Sequence, residues 1–244
     1  MNHATHNAIV GFIWNIADDV LRDVYVRGKY RDVILPMTVI RRLDCLLEPT
    51  KEEVLKCHRF LEENKIHNQA PQLTKASKYP FYNTSRFTLR RLLDEPSQIR
   101  ANFENYLNGF SENVQEIIAK FKFRNQLDTL EESNRLFGLI EKFLSKDINL
   151  SSEPVKNSDD EIIREGLTNH GMGYVFEELI RKFNEENNEE AGEHFTPRDI
   201  IQLMVNLIFL PIKDRIESGT YLIYDCACGS GGMLTEAEAF MQKL

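Results

Sequence analysis

Apolar residues recur at helical spacing through most of the first 150 positions. Ile9, Ile13, Ile16, Ala17, Val20, Leu21 and Val24 mark one face of a first helix over residues 6–25, with Trp14 beside the stripe. A polar link, Arg27-Gly28-Lys29-Tyr30-Arg31-Asp32, leads to a second helix over residues 33–47. Pro36 is expected in its first turn, where the missing N–H costs nothing. Thr50-Lys51-Glu52-Glu53 has the spacing of a capping box and predicts a third helix to about residue 65. Residues 68–86 lack the helical period and read as a long ordered loop. Helices are then predicted at 89–94 after Thr88, at 97–108 with Gly109 as a left-handed cap, at 111–120 and at 130–146, about seven in all.

Between residues 147 and 160 the composition turns to Asn, Ser, Glu, Pro and Asp with no apolar period. The expected division is therefore a helical domain at 1–150, a linker at 151–165 and a second domain from 166 to 244. Met172, Val175, Phe176, Leu179, Ile180 and Phe183 restart the helical stripe, and an acidic run over 184–190 ends it. Thr196-Pro197-Arg198-Asp199 reads as a helix start, with Thr196 as N-cap, Pro197 first and Asp199 third. Tyr221-Leu222-Ile223-Tyr224 has strand character. It runs through Asp225 into the small-residue turn Cys226 to Gly232 and then into a helix-forming segment. Helix, loop, strand, glycine turn, helix is the opening of an α/β sheet, whose ligands lie beyond the carboxyl ends of the strands.

Composition changes little in this picture. The 42% hydrophobic and 28% charged residues describe an ordinary globular chain. No apolar run approaches the roughly 18 residues of a membrane span, and the N-terminus lacks a signal-peptide layout, so a cytoplasmic location is expected. The net charge of −8 is unevenly spread. Residues 1–150 hold 22 basic and 20 acidic side chains, residues 151–200 hold 5 and 13, so the acidity sits mid-chain. Such a chain is expected to bind DNA weakly without a partner. Cys226-Ala227-Cys228 lacks the two-residue spacer of zinc knuckles and has no matching second pair, which argues against a metal site and for reduced thiols.

Two stretches carry candidate ligand chemistry. The glycines at 229, 231 and 232 allow positive φ and close ligand approach, and the helix behind them offers unpaired N–H groups. The helix start at Thr196 offers a second set about 30 residues earlier. A third stretch, around Lys75, Lys78, Tyr79, Phe81, Tyr82, Arg86 and Phe87, mixes positive charge with flat rings, as phosphate and base contact requires. Rings that pin the loop to the helices, with the charges solvated, account for the same pattern.

Asp225-Cys226-Ala227-Cys228-Gly229-Ser230-Gly231-Gly232 resembles the first S-adenosylmethionine motif of adenine-N6 DNA methyltransferases, and Gly192-Glu193-His194-Phe195-Thr196-Pro197-Arg198 resembles the segment preceding it there. In this order and spacing they resemble the modification subunit of type I restriction–modification systems. Residues 12–22, 27–37 and Tyr82-Asn83-Thr84-Ser85 resemble that family's helical N-terminal domain. One departure is Cys226, where the family usually has proline; a free φ there loosens the turn by about 0.5 to 1 kcal/mol through the unfolded state.

The resemblance implies a mainly α N-terminal domain followed by the start of a Rossmann-like, α/β methyltransferase domain. It implies S-adenosylmethionine as cofactor, held by Glu193, His194, Phe195, Thr196, Pro197, Arg198, Asp225, Ser230, Gly231 and Gly232. Asp225 and the amides of Ser230, Gly231 and Gly232 are then expected around its methionine moiety, Phe195 against it, and Thr196 with its helix start at the carboxylate. Lys75, Lys78 and Arg86 are the expected DNA contacts. Implied partners are a specificity subunit, a restriction subunit, a second modification subunit and double-stranded DNA. Enzymes of this kind hold a flipped base with an Asn/Asp-Pro-Pro-aromatic motif. No Pro-Pro dipeptide occurs in the sequence, so the catalytic motif is expected beyond residue 244 and the chain by itself is expected to be inactive. Two other readings are a non-enzymatic helical assembly module and a methyltransferase acting on RNA or protein.

Overall fold

A computed structural model describes residues 3–187 and 196–243. Two compact units divide the chain, one formed by Gly11–Gly166 and the other by Met1–Val10 with Leu167–Leu244.

The first unit is helical. Helix α1 (His3–Leu21), whose residues from Gly11 on belong to this unit, is followed after a 3-10 turn by α2 (Arg31–Leu47). Because α2 begins at Arg31, Pro36 falls in its second turn rather than its first. A 3-10 turn at Glu48–Thr50 feeds α3 (Lys51–Glu63). The predicted capping box is not formed there: Thr50 makes no cap bond, and its buried hydroxyl donates instead to the carbonyls of Leu47 and Ser77. The expected loop over 68–86 contains a helix, α4 (Ala70–Ser77), opened by Pro71. Its buried Leu73 joins Val54 and Leu61 of α3. A two-turn helix anchored by one large apolar residue is too short for periodicity to reveal.

Helix α5 (Leu89–Leu92) follows Thr88, whose hydroxyl accepts the Arg91 N–H at 3.2 Å as predicted. Helices α6 (Ile99–Asn108) and α7 (Glu112–Lys120) come next. Gly109 is not left-handed, since its φ is −72°. It is small for another reason: a Cβ there would lie 2.5 Å from the Ser85 backbone nitrogen. Helix α8 (Arg124–Glu132), which the sequence pattern does not predict, runs into the first residues of the helix predicted over 130–146; the rest of that prediction is α9 (Leu136–Phe143), and Asn134 with φ +61° lies between the two. The segment expected as linker carries an antiparallel hairpin, β1 (Val155–Lys156) with β2 (Ile162–Arg164).

Buried polar groups in this unit are heavily bonded. Asp44, 5% exposed, accepts from Arg41 at 3.0 Å, Tyr106 at 3.0 Å and the Leu89 N–H at 3.1 Å. Burial and that carboxylate push the Tyr106 phenol well above its ordinary value. Lys51 is equally buried and donates to the Asn83 carbonyl at 3.2 Å and side-chain oxygen at 3.1 Å. Both partners are neutral, so desolvation lowers its ammonium to about 8.

In the second unit, α10 (Asn169–Glu186) is capped by Thr168, whose hydroxyl accepts the Gly171 N–H at 3.0 Å. Then come α11 (Arg198–Phe209) and, after a 3-10 segment, α12 (Gly232–Met241). Ile201 and Val205 of α11 pack on Ala237 of α12, with Phe209 stacked on Phe240 at 5.7 Å. The opposite side of α11 is bare: Ile200, Leu203, Met204, Leu207 and Ile208 are all exposed. The predicted strand 221–224 does not form. No other strand pairs with it among the described residues, and Leu222 is 97% exposed. Strand propensity reports how a residue suits a pleated sheet and cannot replace the missing ladder. Among the described residues no helix is long and apolar enough to cross a membrane.

Candidate cofactor turn

The turn before α12 takes the shape its glycines allow. Asp225 folds into it first, its Oδ1 accepting the Ala227 N–H at 3.0 Å. The Gly231 N–H then closes on the Cys228 carbonyl at 2.7 Å. Gly229 has φ +50° and Gly231 has φ +79°, so both lie in the left-handed region that side chains disfavour. A Cβ on Gly231 would meet nothing within 4 Å; backbone conformation demands the glycine, and the space above it is open. Gly231 is the N-cap of α12, whose first intrahelical bond runs from the Thr235 N–H to the Gly231 carbonyl at 3.0 Å. The N–H groups of Gly232, Met233 and Leu234 precede that bond. An open left-handed turn ending in helix amides, with a carboxylate at its entrance, fits a ligand bearing both an amino group and a carboxylate.

Thr196 is exposed, and Pro197 rather than Thr196 occupies the N-cap position of α11. Among the described residues no side chain caps that helix; the Ile201 N–H bonds the Pro197 carbonyl at 3.0 Å. Glu193, His194 and Phe195 lie outside the described residues.

Arg198 connects the two stretches. Its Nε donates to Glu177 Oε2 at 2.7 Å and Nη2 to Glu177 Oε1 at 3.1 Å. Nη1 reaches α12, at 3.1 Å from Thr235 Oγ1 and 3.2 Å from Glu236 Oε1. The three charged side chains are 11%, 5% and 9% exposed for Arg198, Glu177 and Glu236. Ser230 Oγ donates to Glu177 Oε1 at 2.9 Å, which ties the glycine turn to the same carboxylate. Glu177, Thr235 and Glu236 escape sequence reasoning. Nothing in the spacing separates buried Glu177 from its neighbour Glu178, which pairs with Arg181 and is held below the usual carboxylate range by it.

A cleft of about 450 Å³ beside Arg198 is lined by His6, His170, Tyr174, Asp199 and Glu236. A larger one, about 790 Å³, lies along residues 216–223 against Leu234, Glu238 and Met241 and includes none of the four turn residues 229–232. Among the described residues no strand pairs with segment 221–224 beside it.

In the first unit, Lys75 and Lys78 are exposed, and Lys78 ends α4 with φ +63°. The Arg86 guanidinium lies 4.6 Å from the Phe87 ring centre. Phe87 itself is buried, and Tyr82 packs on the α3–α4 core. These two rings therefore serve packing, while Tyr79 and Phe81 stack on each other at 5.3 Å.

Residues 9–143 match the family model of the HsdM N-terminal domain, over more than half of the chain. The chain belongs to that family. Residues 167–244, which include the glycine turn, match a second family model, N-6 DNA Methylase. Among curated proteins, the chain is 23% identical to the type I restriction enzyme MjaIX methylase subunit of Methanocaldococcus jannaschii, over 92% of this chain and 38% of that protein. It is 26% identical to the MpnII methylase subunit of Mycoplasma pneumoniae over 61% of this chain and 30% of that protein. Over 29% of this chain and 14% of the relative, it is 31% identical to the HindI methylase subunit of Haemophilus influenzae. The chain thus spans about a third of the length of the first two relatives. No solved structure gave a significant match.

Proposed function

We propose that this chain supplies the helical N-terminal domain and first cofactor-binding elements of a type I modification subunit, a methyltransferase acting on adenine N6 in double-stranded DNA. The observation that carries the reading is the junction at Arg198: one guanidinium holds the Thr196 helix start to the α12 helix that follows the glycine turn. Arg198, the last residue of one stretch that resembles an S-adenosylmethionine motif, thereby bonds the helix that follows the other, which supports the reading. S-adenosylmethionine supplies an activated methyl group. In this reading Asp225 accepts from its amino group, while the N–H groups of Ser230 and Gly232 and the start of α11 face its carboxylate; the Gly231 N–H is spent on the Cys228 carbonyl within the turn. Glu193, His194, Phe195, Thr196 and Pro197 complete the first half of the site, and Arg198 acts by holding the halves together. Pairing with a specificity subunit, which reads the target sequence, fits the chain's own lack of a basic stripe; a restriction subunit and a second modification subunit complete the proposed assembly.

Titration calorimetry with S-adenosylmethionine tests this reading. Affinity that is present in the wild type and lost in Asp225→Ala or Gly231→Val supports it; no affinity in the wild type favours a purely structural assembly module. For DNA, neutralising Lys75, Lys78 and Arg86 together is expected to weaken binding by the assembled enzyme and flatten its salt dependence. An unchanged salt slope assigns those residues to solvent.

A further inference from the structure

We propose that Glu177 is a positioning residue for the cofactor turn, fixing the Ser230 hydroxyl and the Arg198 helix start on one carboxylate. The inference rests on the cofactor reading above and adds a residue from a third element, α10, that belongs to neither motif. Each carboxylate oxygen is engaged: Oε1 by Ser230 Oγ at 2.9 Å and Arg198 Nη2 at 3.1 Å, Oε2 by Arg198 Nε at 2.7 Å. Counting the two bonds to Thr235 and Glu236, four donor contacts of the guanidinium are made within the protein. A guanidinium has five N–H groups, so Arg198 has little left for a ligand and serves as a clamp.

Gly173, one turn ahead of Glu177 on α10, shows that the clamp is seated closely. A Cβ there would lie 2.8 Å from Arg198 Nη2, so the guanidinium rests directly on the helix backbone. Ser230 is exposed apart from its hydroxyl contact, so the turn has little packing of its own to hold it. Buried paired charges add little to stability against apolar replacements, and their best use is to fix geometry. A turn held in its binding geometry before the ligand arrives loses less freedom on binding, and that saving appears as affinity.

The test measures S-adenosylmethionine affinity of the full chain by calorimetry, with the melting temperature of the unliganded protein alongside. Ser230→Ala and Glu177→Gln are each expected to raise Kd about tenfold, the scale of one hydrogen bond to a charged group. The double variant is expected to be no weaker than the weaker single one, because both act on the same Ser230–Glu177 contact, Ser230→Ala by removing the donor and Glu177→Gln by removing the acceptor's charge. Ser230→Ala is expected to leave the melting temperature unchanged, and Gly173→Ala, which displaces the guanidinium, to raise Kd as well. Wild-type binding with unchanged Kd in both singles, or a double variant about a hundredfold weaker, overturns the positioning role while the cofactor reading stands. Absence of wild-type binding overturns both. If Glu177→Gln does not fold, Ser230→Ala and Gly173→Ala decide: raised Kd in both supports the role, and unchanged Kd in both ends it.

Discussion

The Arg198 guanidinium grips both oxygens of Glu177, 21 positions earlier in the chain, at 2.7 and 3.1 Å. Removing one side of a buried pair strands the other charge. Arg198→Met is therefore expected to cost about 3 to 5 kcal/mol, read from the urea midpoint. The control is Arg181→Met, which removes the more exposed pairs with Glu178 and Glu185 and is expected to cost about 1 kcal/mol or less. Equal costs for the two variants contradict the account of Arg198.

Stability is expected to rise with pH above about 8 because of Lys51. Its ammonium is lowered from 10.5 to about 8 in the fold. Below 8 both folded and unfolded chains carry the proton, and the penalty of burying the charge is fully present. Between about 8 and 10.5 the folded state sheds its proton first, so unfolding must take one up and stability increases with pH. The full gain is on the order of 3 kcal/mol. Lys51→Met is expected to remove this rise, seen as the difference between the two denaturation midpoints across that window.

Gly231 and Gly109 are required for different reasons and so respond differently to substitution. At Gly231, φ +79° with open space favours Asn over Ala: Ala costs about 1 to 2 kcal/mol of backbone strain, and Asn costs less. At Gly109 φ is −72°, yet any Cβ meets the Ser85 backbone at 2.5 Å, so Ala and Asn are both expected to cost about 1 to 3 kcal/mol. Thermal melts of the four variants separate the two mechanisms.

The two faces of α11 make a further contrast. Ile201→Ala truncates a residue 2% exposed in the α11–α12 core and is expected to cost about 2 kcal/mol or more. Leu207→Glu changes a residue 67% exposed and is expected to stay within about 0.5 kcal/mol. A large loss from Leu207→Glu, measured by chemical denaturation, contradicts the bare face seen here.

Much of the helical architecture was legible because amphipathic periods of ten residues or more write it into the chain, as in α1, α2, α10 and α11. What escaped was short or decided at a distance. Helix α4 has one large buried anchor, and nine-residue α8 buries only Leu127 and Leu130 before a left-handed Asn134 ends the run. Thr50 has the letters of a capping box, but the carbonyl of Ser77, 27 residues away, takes its hydroxyl. At the candidate site, the glycine turn and the start of α11 were readable from residue type and spacing. The carboxylate that joins them was not, since burial alone distinguishes Glu177 from Glu178. The strand over 221–224 was legible only as a propensity, which needs a paired neighbour to become structure.

The clamp at Arg198 also has a kinetic side. It reaches partners 21 and up to 38 positions away on two other helices, so it cannot close until α10, α11 and α12 have all docked. Contacts that form after the folding barrier slow unfolding without hastening folding. The guanidinium is thus expected to govern how long this unit stays folded once assembled, and its loss to appear in the unfolding limb of the kinetics, with the folding limb nearly unmoved.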